Sequence, residues 1–193
     1  MSLAPWRSLI TRALHHNRSL AYSRYVQLAT IKENGFPANR TVVFRGFLED
    51  TNDLKFITDI RSAKAEQISK QTVAEVCWYF PKTREQFRIT GELTLISDDS
   101  DTNLQPARIK MWQELSDAAR LQFCWPHPGK MRITTATAFT PPAPNPIEPV
   151  ENFCLLLLAA IQVDHLELRG EPQNRWVYYR NENQEWLAEA INP

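Results

Sequence analysis

Neither GxGxxG nor GxxxxGK occurs in the sequence, so the glycine-rich loops that cradle phosphate in dinucleotide-binding and P-loop folds are excluded. Cysteine is scarce, with only Cys77, Cys124 and Cys154. Their odd number and the lack of CxxC spacing argue against a disulfide framework and fit a reducing cytoplasm. The four histidines, His15, His16, His127 and His165, lack the paired spacing of zinc or metalloprotease sites, which argues against a protein-held metal. No Ser-His-Asp arrangement can be inferred, and the carboxylates form no evident acid/base pair. Net charge is missing too. With 22 basic residues against 22 acidic ones, the chain lacks the excess expected of a nonspecific nucleic-acid or anionic-membrane binder. The strongest hydrophobic run, Phe153 to Ile161, is far shorter than the ~20 residues of a membrane span, and the N-terminus has no apolar signal region. A soluble, cytoplasmic protein without nucleic-acid or membrane partners is expected.

What is present suits one domain over residues 1–193, a length that supports a sizeable core and is short for two. Within residues 1–20, Pro5 precedes Trp6, Leu9, Ile10, Ala13 and Leu14. That proline position and helical spacing predict a docking helix. Strands are expected over Tyr25–Lys32, Arg40–Phe47, Phe56–Thr58, Val73–Phe80 and Glu85–Ile96, separated by turn signals such as Asn34-Gly35-Phe36-Pro37. A short helix, Ser62–Lys70, interrupts them, and a longer amphipathic one is expected over Leu104–Gln122. The proline-rich stretch from Thr140 to Pro149 excludes regular structure and reads as an ordered crossover loop, 140–150. Strand patterning returns over Phe153–Gln162, Asp164–Arg169 and Trp176–Arg180, followed by Trp186. Strands on both sides of a helical insertion predict a mainly β, α+β chain forming a closed or nearly closed antiparallel barrel.

The chemistry is concentrated in "FITDIRSAKA", Phe56 to Ala65, where Arg61 and Lys64 fall at the start of a helix. That end is already electropositive, and each added cation costs about 0.3–1 kcal/mol there. An anion held between backbone donors, a serine hydroxyl and the two side chains would convert the penalty into binding, so the stretch suggests a phosphate-binding turn. The alternative is that Arg61 and Lys64 pair with Asp59 and Glu66 or are simply solvated. Arg40 opens and Arg45 closes "RTVVFR", with an odd separation that places them on opposite strand faces. Arg84, Gln86 and Arg88 share a face at the start of the following long strand. Such a cluster suits a planar phosphorylated ligand, with Gln giving direction and Arg giving charge. The Cys124-Trp125-Pro126-His127-Pro128-Gly129 turn is either a ligand-facing loop or a helix stop. Trp78, Trp112 and Trp125 read first as core residues. An enzyme built on this sequence would take its reaction from a cofactor.

"RTVVFR", "FITDIRSAKA", "REQFRITGE" and "NRWVYYR" occur in the order and approximate spacing of the pyridoxamine 5'-phosphate oxidase-like FMN-binding proteins, and the chain resembles that family from about Tyr22 to Arg180. The resemblance implies a split β-barrel and a homodimer with FMN in clefts at the subunit interface. It implies that Arg40 reaches the FMN phosphate, that Val42 and Val43 run beside the isoalloxazine ring, and that Arg45 takes the place of a customary lysine. Thr41 and Ile57 fall in the same two cofactor strands. Thr58, Ser62 and Lys64 match the phosphate turn. Ala63 stands where the family has arginine, with Arg61 the candidate replacement. Gln86 and Arg175 match the remaining cofactor contacts. The departures concern the substrate. Glu171, Pro172 and Gln173 replace an Arg-Leu-His-like triplet, and Leu166 aligns with a tryptophan that packs near the flavin. The Tyr, Arg and Ser that bind substrate phosphate align with Trp112, Ser116 and Arg120, leaving Trp112 and Arg120 as substrate candidates. The resemblance thus implies an FMN-dependent oxidoreductase acting on an unidentified small molecule, with a noncatalytic FMN-binding or storage module as the alternative.

Overall fold

The computed structural model describes residues 3–100 and 102–193. The first helix, α1 (Pro5–Asn17), starts with proline at its first turn and inserts Trp6, Ile10 and Ala13, all fully buried. Thirteen residues are marginal as a free helix in water. Burial of this apolar stripe, worth about 1.5–3 kcal/mol per large side chain, holds α1 against the barrel.

Strands β1 (Tyr25–Ile31) and β2 (Pro37–Val43) form a hairpin in register from Tyr25↔Val43 to Ile31↔Pro37. Gly35 at its turn adopts φ +80°, a conformation glycine reaches without strain. The second strand therefore ends at Val43 and does not run from Arg40 to Phe47 as the sequence suggests. Beyond Val43 the chain leaves β1 and hydrogen-bonds across to β3 (Leu54–Asp59), through Arg45 N–H to Lys55 C=O at 2.9 Å and Lys55 N–H to Gly46 C=O at 2.8 Å. Arg45 is thus outside the strand, and the alternation argument that set it opposite Arg40 does not apply.

After α2 (Ala63–Lys70) come β4 (Val73–Phe80) and β5 (Glu85–Ile96). Arg84 lies in the turn between them at φ 57°, so it is not part of the strand face that carries Gln86 and Arg88. The sheet runs β2-β1-β4-β5-β6-β7-β8, where β6 is Phe153–Glu167, β7 Asn174–Arg180 and β8 Trp186–Ile191. The two segments expected over Phe153–Gln162 and Asp164–Arg169 are this one continuous strand. Along one edge β6 pairs with β5 throughout. On its other edge, Phe153–Leu158 pair with β3 and Gln162–Glu167 pair with β7. The change of partner splits the antiparallel barrel. It coincides with a bulge at Thr90/Gly91, where a Cβ on Gly91 would lie 2.3 Å from the Ala159 carbonyl oxygen. Only glycine fits that approach.

The unbroken hydrophobic run at the start of β6 reflects burial on both faces. Leu156 and Leu158 enter the main core with Trp78, Phe80, Phe87 and Phe56, while Leu155 and Leu157 enter a second cluster with Met111, Trp112, Leu115 and Phe123. The amphipathic segment expected over Leu104–Gln122 is two helices, α3 (Gln105–Gln113) and α4 (Asp117–Leu121). Ser116 stops the first and caps the second, its hydroxyl accepting from Ala119 N–H at 3.3 Å. The stretch 140–150 has no regular strand or helix. It is tied down where Trp112 Nε1 donates to Asn145 C=O at 2.9 Å and Gln113 Nε2 to Ile147 C=O at 3.1 Å.

Candidate functional site

The β2–β3 side of the barrel, the start of α2 and the chain after α4 enclose a cavity of about 740 Å³. Its floor is basic. Arg40 projects from β2 beside Leu28, the residue opposite it in β1. Its guanidinium donates to Thr30 Oγ1 at 2.6 Å, to Leu28 C=O at 3.1 Å and to Gln67 Oε1 at 3.0 Å. These partners are all neutral, so they orient the guanidinium and leave its charge uncompensated. Lys64, in the first turn of α2, donates from Nζ to Thr58 Oγ1 at 2.7 Å, and Thr58 Oγ1 lies 3.1 Å from Ser62 Oγ. Ser62 is the N-cap of α2. Among the described residues neither Arg40 nor Lys64 forms an ion pair. Burial lowers the Lys64 pKa, and the charge of Arg40 lowers it further against a weaker opposing pull from Asp59. Burial also lowers that of Arg40. Two half-buried cations, two hydroxyls and a helix N-terminus therefore converge with no anion of their own, which is the donor set a phosphate monoester requires.

The cavity extends along β2 and β3, where Thr41, Val42, Val43 and Ile57 line the wall. Arg45 lines the same cavity as Arg40. Its Nε is buried with no hydrogen-bond partner, and burial lowers its pKa, helped by the charge of Arg24. A buried donor without a partner carries a desolvation cost.

A family model described as the pyridoxamine 5'-phosphate oxidase FMN-binding domain matches residues 3–97. Pyridoxine/pyridoxamine 5'-phosphate oxidase 2 of Arabidopsis thaliana is 39% identical over 195 residues, covering 99% of this chain and 98% of that protein. The chain belongs to the pyridoxamine 5'-phosphate oxidase-related, FMN-binding family. Its cofactor is FMN. The crystal structure of a pyridoxamine 5'-phosphate oxidase-related, FMN-binding protein from Nostoc punctiforme PCC 73102 is 72% identical, covers both chains completely and superposes with a TM-score of 0.98. PhzG from Burkholderia lata 383 shares the fold at 17% identity, with a TM-score of 0.78 over 100% of this chain and 98% of that one.

Within this family's frame, Arg40, Thr58, Ser62 and Lys64 come together as the sequence suggests, while Arg61 does not join them. Its side chain is locked to Asp59, Nε to Oδ1 at 2.9 Å and Nη2 to Oδ2 at 2.6 Å, and Nη2 also reaches the carbonyls of Phe123 at 3.3 Å and Trp125 at 3.2 Å. The carboxylate two residues away competes successfully for the guanidinium, so Arg61 is a strut outside the cavity lining and does not replace the arginine missing at position 63.

Gln86 and Arg175 are likewise outside the cavity. They flank Leu166 across β5, β6 and β7, in the register Gln86↔Leu166↔Arg175. On this outer sheet face Asp164 anchors both Arg175, Nη2 to Oδ2 at 2.7 Å, and Arg88 at 2.5 Å. Burial tends to raise the Asp164 pKa, but the two guanidiniums outweigh it and hold the carboxyl below its ordinary value.

The two substrate candidates are corrected. Trp112 is fully buried in an aromatic cluster with Phe123 and Phe153. Arg120 is buried and its Nη1 donates to the carbonyls of Leu115 at 2.5 Å and Trp112 at 3.2 Å, so it caps the C-terminal end of α3. Both are consumed by packing and capping. The opposite wall of the cavity comes from the loop after α4, Trp125 to Ile133, together with Phe139. Sequence reasoning left that turn undecided. The cations Lys130 and Arg132 just past Pro128-Gly129 were its available signal.

Proposed function

We propose that this chain is an FMN-dependent oxidoreductase acting on a small molecule, working as a single cofactor-binding domain that pairs into a homodimer in a reducing, cytoplasmic compartment. The observation that carries the reading is the Arg40–Lys64 pair: two desolvated cations, one on β2 and one in the first turn of α2, without an ion-pair partner among the described residues and lining a cavity of about 740 Å³. Arg40, Lys64, Thr58 and Ser62 hold the cofactor phosphate, while Thr41, Val42, Val43 and Ile57 provide the wall for the ring and Arg45 a cation farther along the cavity. When bound, FMN supplies two-electron chemistry, accepting or returning a hydride equivalent. The chain's own residues bind it, orient it and keep water from one of its faces.

Gln86 and Arg175 enter this reading from a second copy. They lie together on an outer sheet face that also exposes Tyr25, Tyr79 and Tyr179, a mixture of aromatic and polar groups suited to a protein interface. Two copies joined through that face would bring Gln86 and Arg175 of each to the other's cavity. Because Trp112 and Arg120 serve the fold, and Glu171, Pro172 and Gln173 replace the family's triplet, the reading does not extend to pyridoxamine 5'-phosphate as substrate. Cys154 is buried, and burial pushes its pKa up to about 11.

The decisive experiment is a visible spectrum of the purified, desalted protein, with identification of the chromophore released on denaturation and the mass in solution measured by light scattering. Flavin bands, released FMN and a dimer mass support the reading. A colourless protein that also fails to bind added FMN refutes it, and bound FMN that no reductant or oxygen turns over favours a storage module.

A further inference from the structure

The charge lining the cavity exceeds what one cofactor phosphate uses. Arg40, Arg45, Lys64, Lys130 and Arg132 line it, against Asp59 as the only carboxylate among the described lining residues. Asp59 is already neutralised by Arg61. A phosphate monoester carries about 1.5–2 negative charges at neutral pH, and the Arg40–Lys64 floor matches that. With Arg45 placed along the cofactor's wall as well, Lys130 and Arg132 on the facing loop remain.

That loop is anchored at its start and at Arg132. The Arg132 guanidinium sits 4.7 Å from the Phe139 ring centroid, and Phe139 packs edge-on to Trp125 at 5.9 Å, making a cation–aromatic stack along one wall. Trp125 lines the cavity and its buried Nε1 has no partner. Arg61 fixes where the loop begins by holding the carbonyls of Phe123 and Trp125. One side chain thus ties the turn that carries the phosphate site to the wall opposite.

We infer that the Trp125–Ile133 loop is the specificity element of this pocket, that Lys130 and Arg132 select a planar substrate bearing an anionic group, and that Arg61 is the positioning residue that sets the loop. The inference rests on FMN occupying the Arg40–Lys64 floor. It moves substrate recognition from the α3–α4 segment, where the resemblance would put it, to a loop of prolines, aromatics and two cations. Trp125 gives the flat part of the molecule an apolar wall and the cations take its charge.

The test uses FMN-loaded protein titrated with benzoate, phenyl phosphate and neutral benzamide, with perturbation of the flavin absorption bands as the readout of binding. Benzoate, phenyl phosphate or both should bind at least tenfold more tightly than benzamide, and the preferred member identifies a carboxylate or a phosphate substrate. The double variant Lys130→Ala, Arg132→Ala should lose about tenfold or more in affinity for the anionic probe while retaining FMN within about threefold of wild type. Arg61→Lys keeps the charge but cannot span a carboxylate and two carbonyls. It should weaken the probe comparably, again with FMN retained. Equal affinities for the three probes, an unchanged anion affinity in the double variant, or FMN loss in step with probe loss would each overturn the inference. A chain that binds no FMN fails at the first spectrum, before any probe is added, and so refutes the functional reading separately.

Discussion

Replacing Lys64 by methionine should lower cofactor affinity while leaving apoprotein stability nearly unchanged or raised. The ammonium donates to Thr58 Oγ1 at 2.7 Å and to Ser62 Oγ at 3.5 Å. A phosphate seated between it and Arg40 would gain a charge-assisted bond worth about 1.5–3 kcal/mol, below the ceiling of ~4 kcal/mol for unit charges at 4 Å in a medium of effective dielectric 20. Lys64→Met should therefore weaken FMN binding by roughly 10- to 150-fold, measurable by fluorescence titration of the apoprotein. The apoprotein loses one short hydrogen bond to a hydroxyl and one long one, together about 1 kcal/mol, but sheds a desolvated charge that faces Arg40. Its melting temperature should stay within about 4 °C of wild type or rise. The pH dependence has a definite sign. Burial and Arg40 place the Lys64 pKa below the ordinary lysine value, so in the window between the two the unfolded chain holds more protons, and this residue's contribution to apoprotein stability rises with pH. FMN affinity should fall as pH rises through that window because the ammonium is being lost, and Lys64→Met should lack that part of the decline. FMN affinity within threefold of wild type would refute the phosphate assignment. A drop of more than about 6 °C in the apoprotein would instead mark Lys64 as a structural strut.

Arg120→Ala should leave the carbonyls of Trp112 and Leu115 without their donor and cost about 2–3 kcal/mol of stability. Thermal melts would show this, and full stability with altered turnover would return Arg120 to the substrate site. Gly91→Ala drives a methyl group to 2.3 Å from the Ala159 carbonyl oxygen, a clash with backbone that no rotamer relieves. The cost should be about 3 kcal/mol, or roughly 6–12 °C, and a neutral melt would mean that the bulge at Thr90/Gly91 can relax. Asp164→Asn removes an anchor whose pKa is held low by Arg175 and Arg88 despite burial. The wild type gains that stabilisation above the ordinary aspartate range and loses it as pH falls through the lowered value. The variant should therefore be less stable at neutral pH, with the gap closing in acid, and a gap that persists below pH 2 would point to packing.

The barrel was legible wherever a strand buries one face, as in β4, where Ala74, Val76, Trp78 and Phe80 are buried in alternation. The end of β2 was not legible because Val42-Val43-Phe44 continues with high β-propensity and the departure at Val43 is decided by pairing with β3, a contact remote in sequence. The two segments of β6 looked separate because Leu155–Leu158 bury both faces while Ile161 sits at the bulge and is exposed, which breaks the pattern without breaking the strand. The α3–α4 break was hidden for the opposite reason. Apolar residues keep helical spacing across it, and the Ser116 cap acts through a single hydroxyl.

The paired cations of the Phe56–Ala65 stretch have two different fates, and the contrast follows from geometry. Asp59 Oδ1 accepts from the Arg61 backbone N–H at 2.8 Å as well as from its Nε, so the turn itself places that carboxylate beneath the guanidinium. Side-chain and backbone donors of one residue then converge on a single acceptor, and a bidentate pair of this kind persists without a ligand. Lys64 lies one helical turn farther along, on the side facing Thr58 and Arg40, where Asp59 acts only as a distant opposing charge. The question of why two cations stand at a positive helix end thus has two answers: one has its anion already, inside the chain, and the other has a place prepared for one. The sequence pattern does not separate them, because that division depends on which side of the turn each side chain leaves. Arg61, released from cofactor binding, is free to brace the loop that forms the opposite wall.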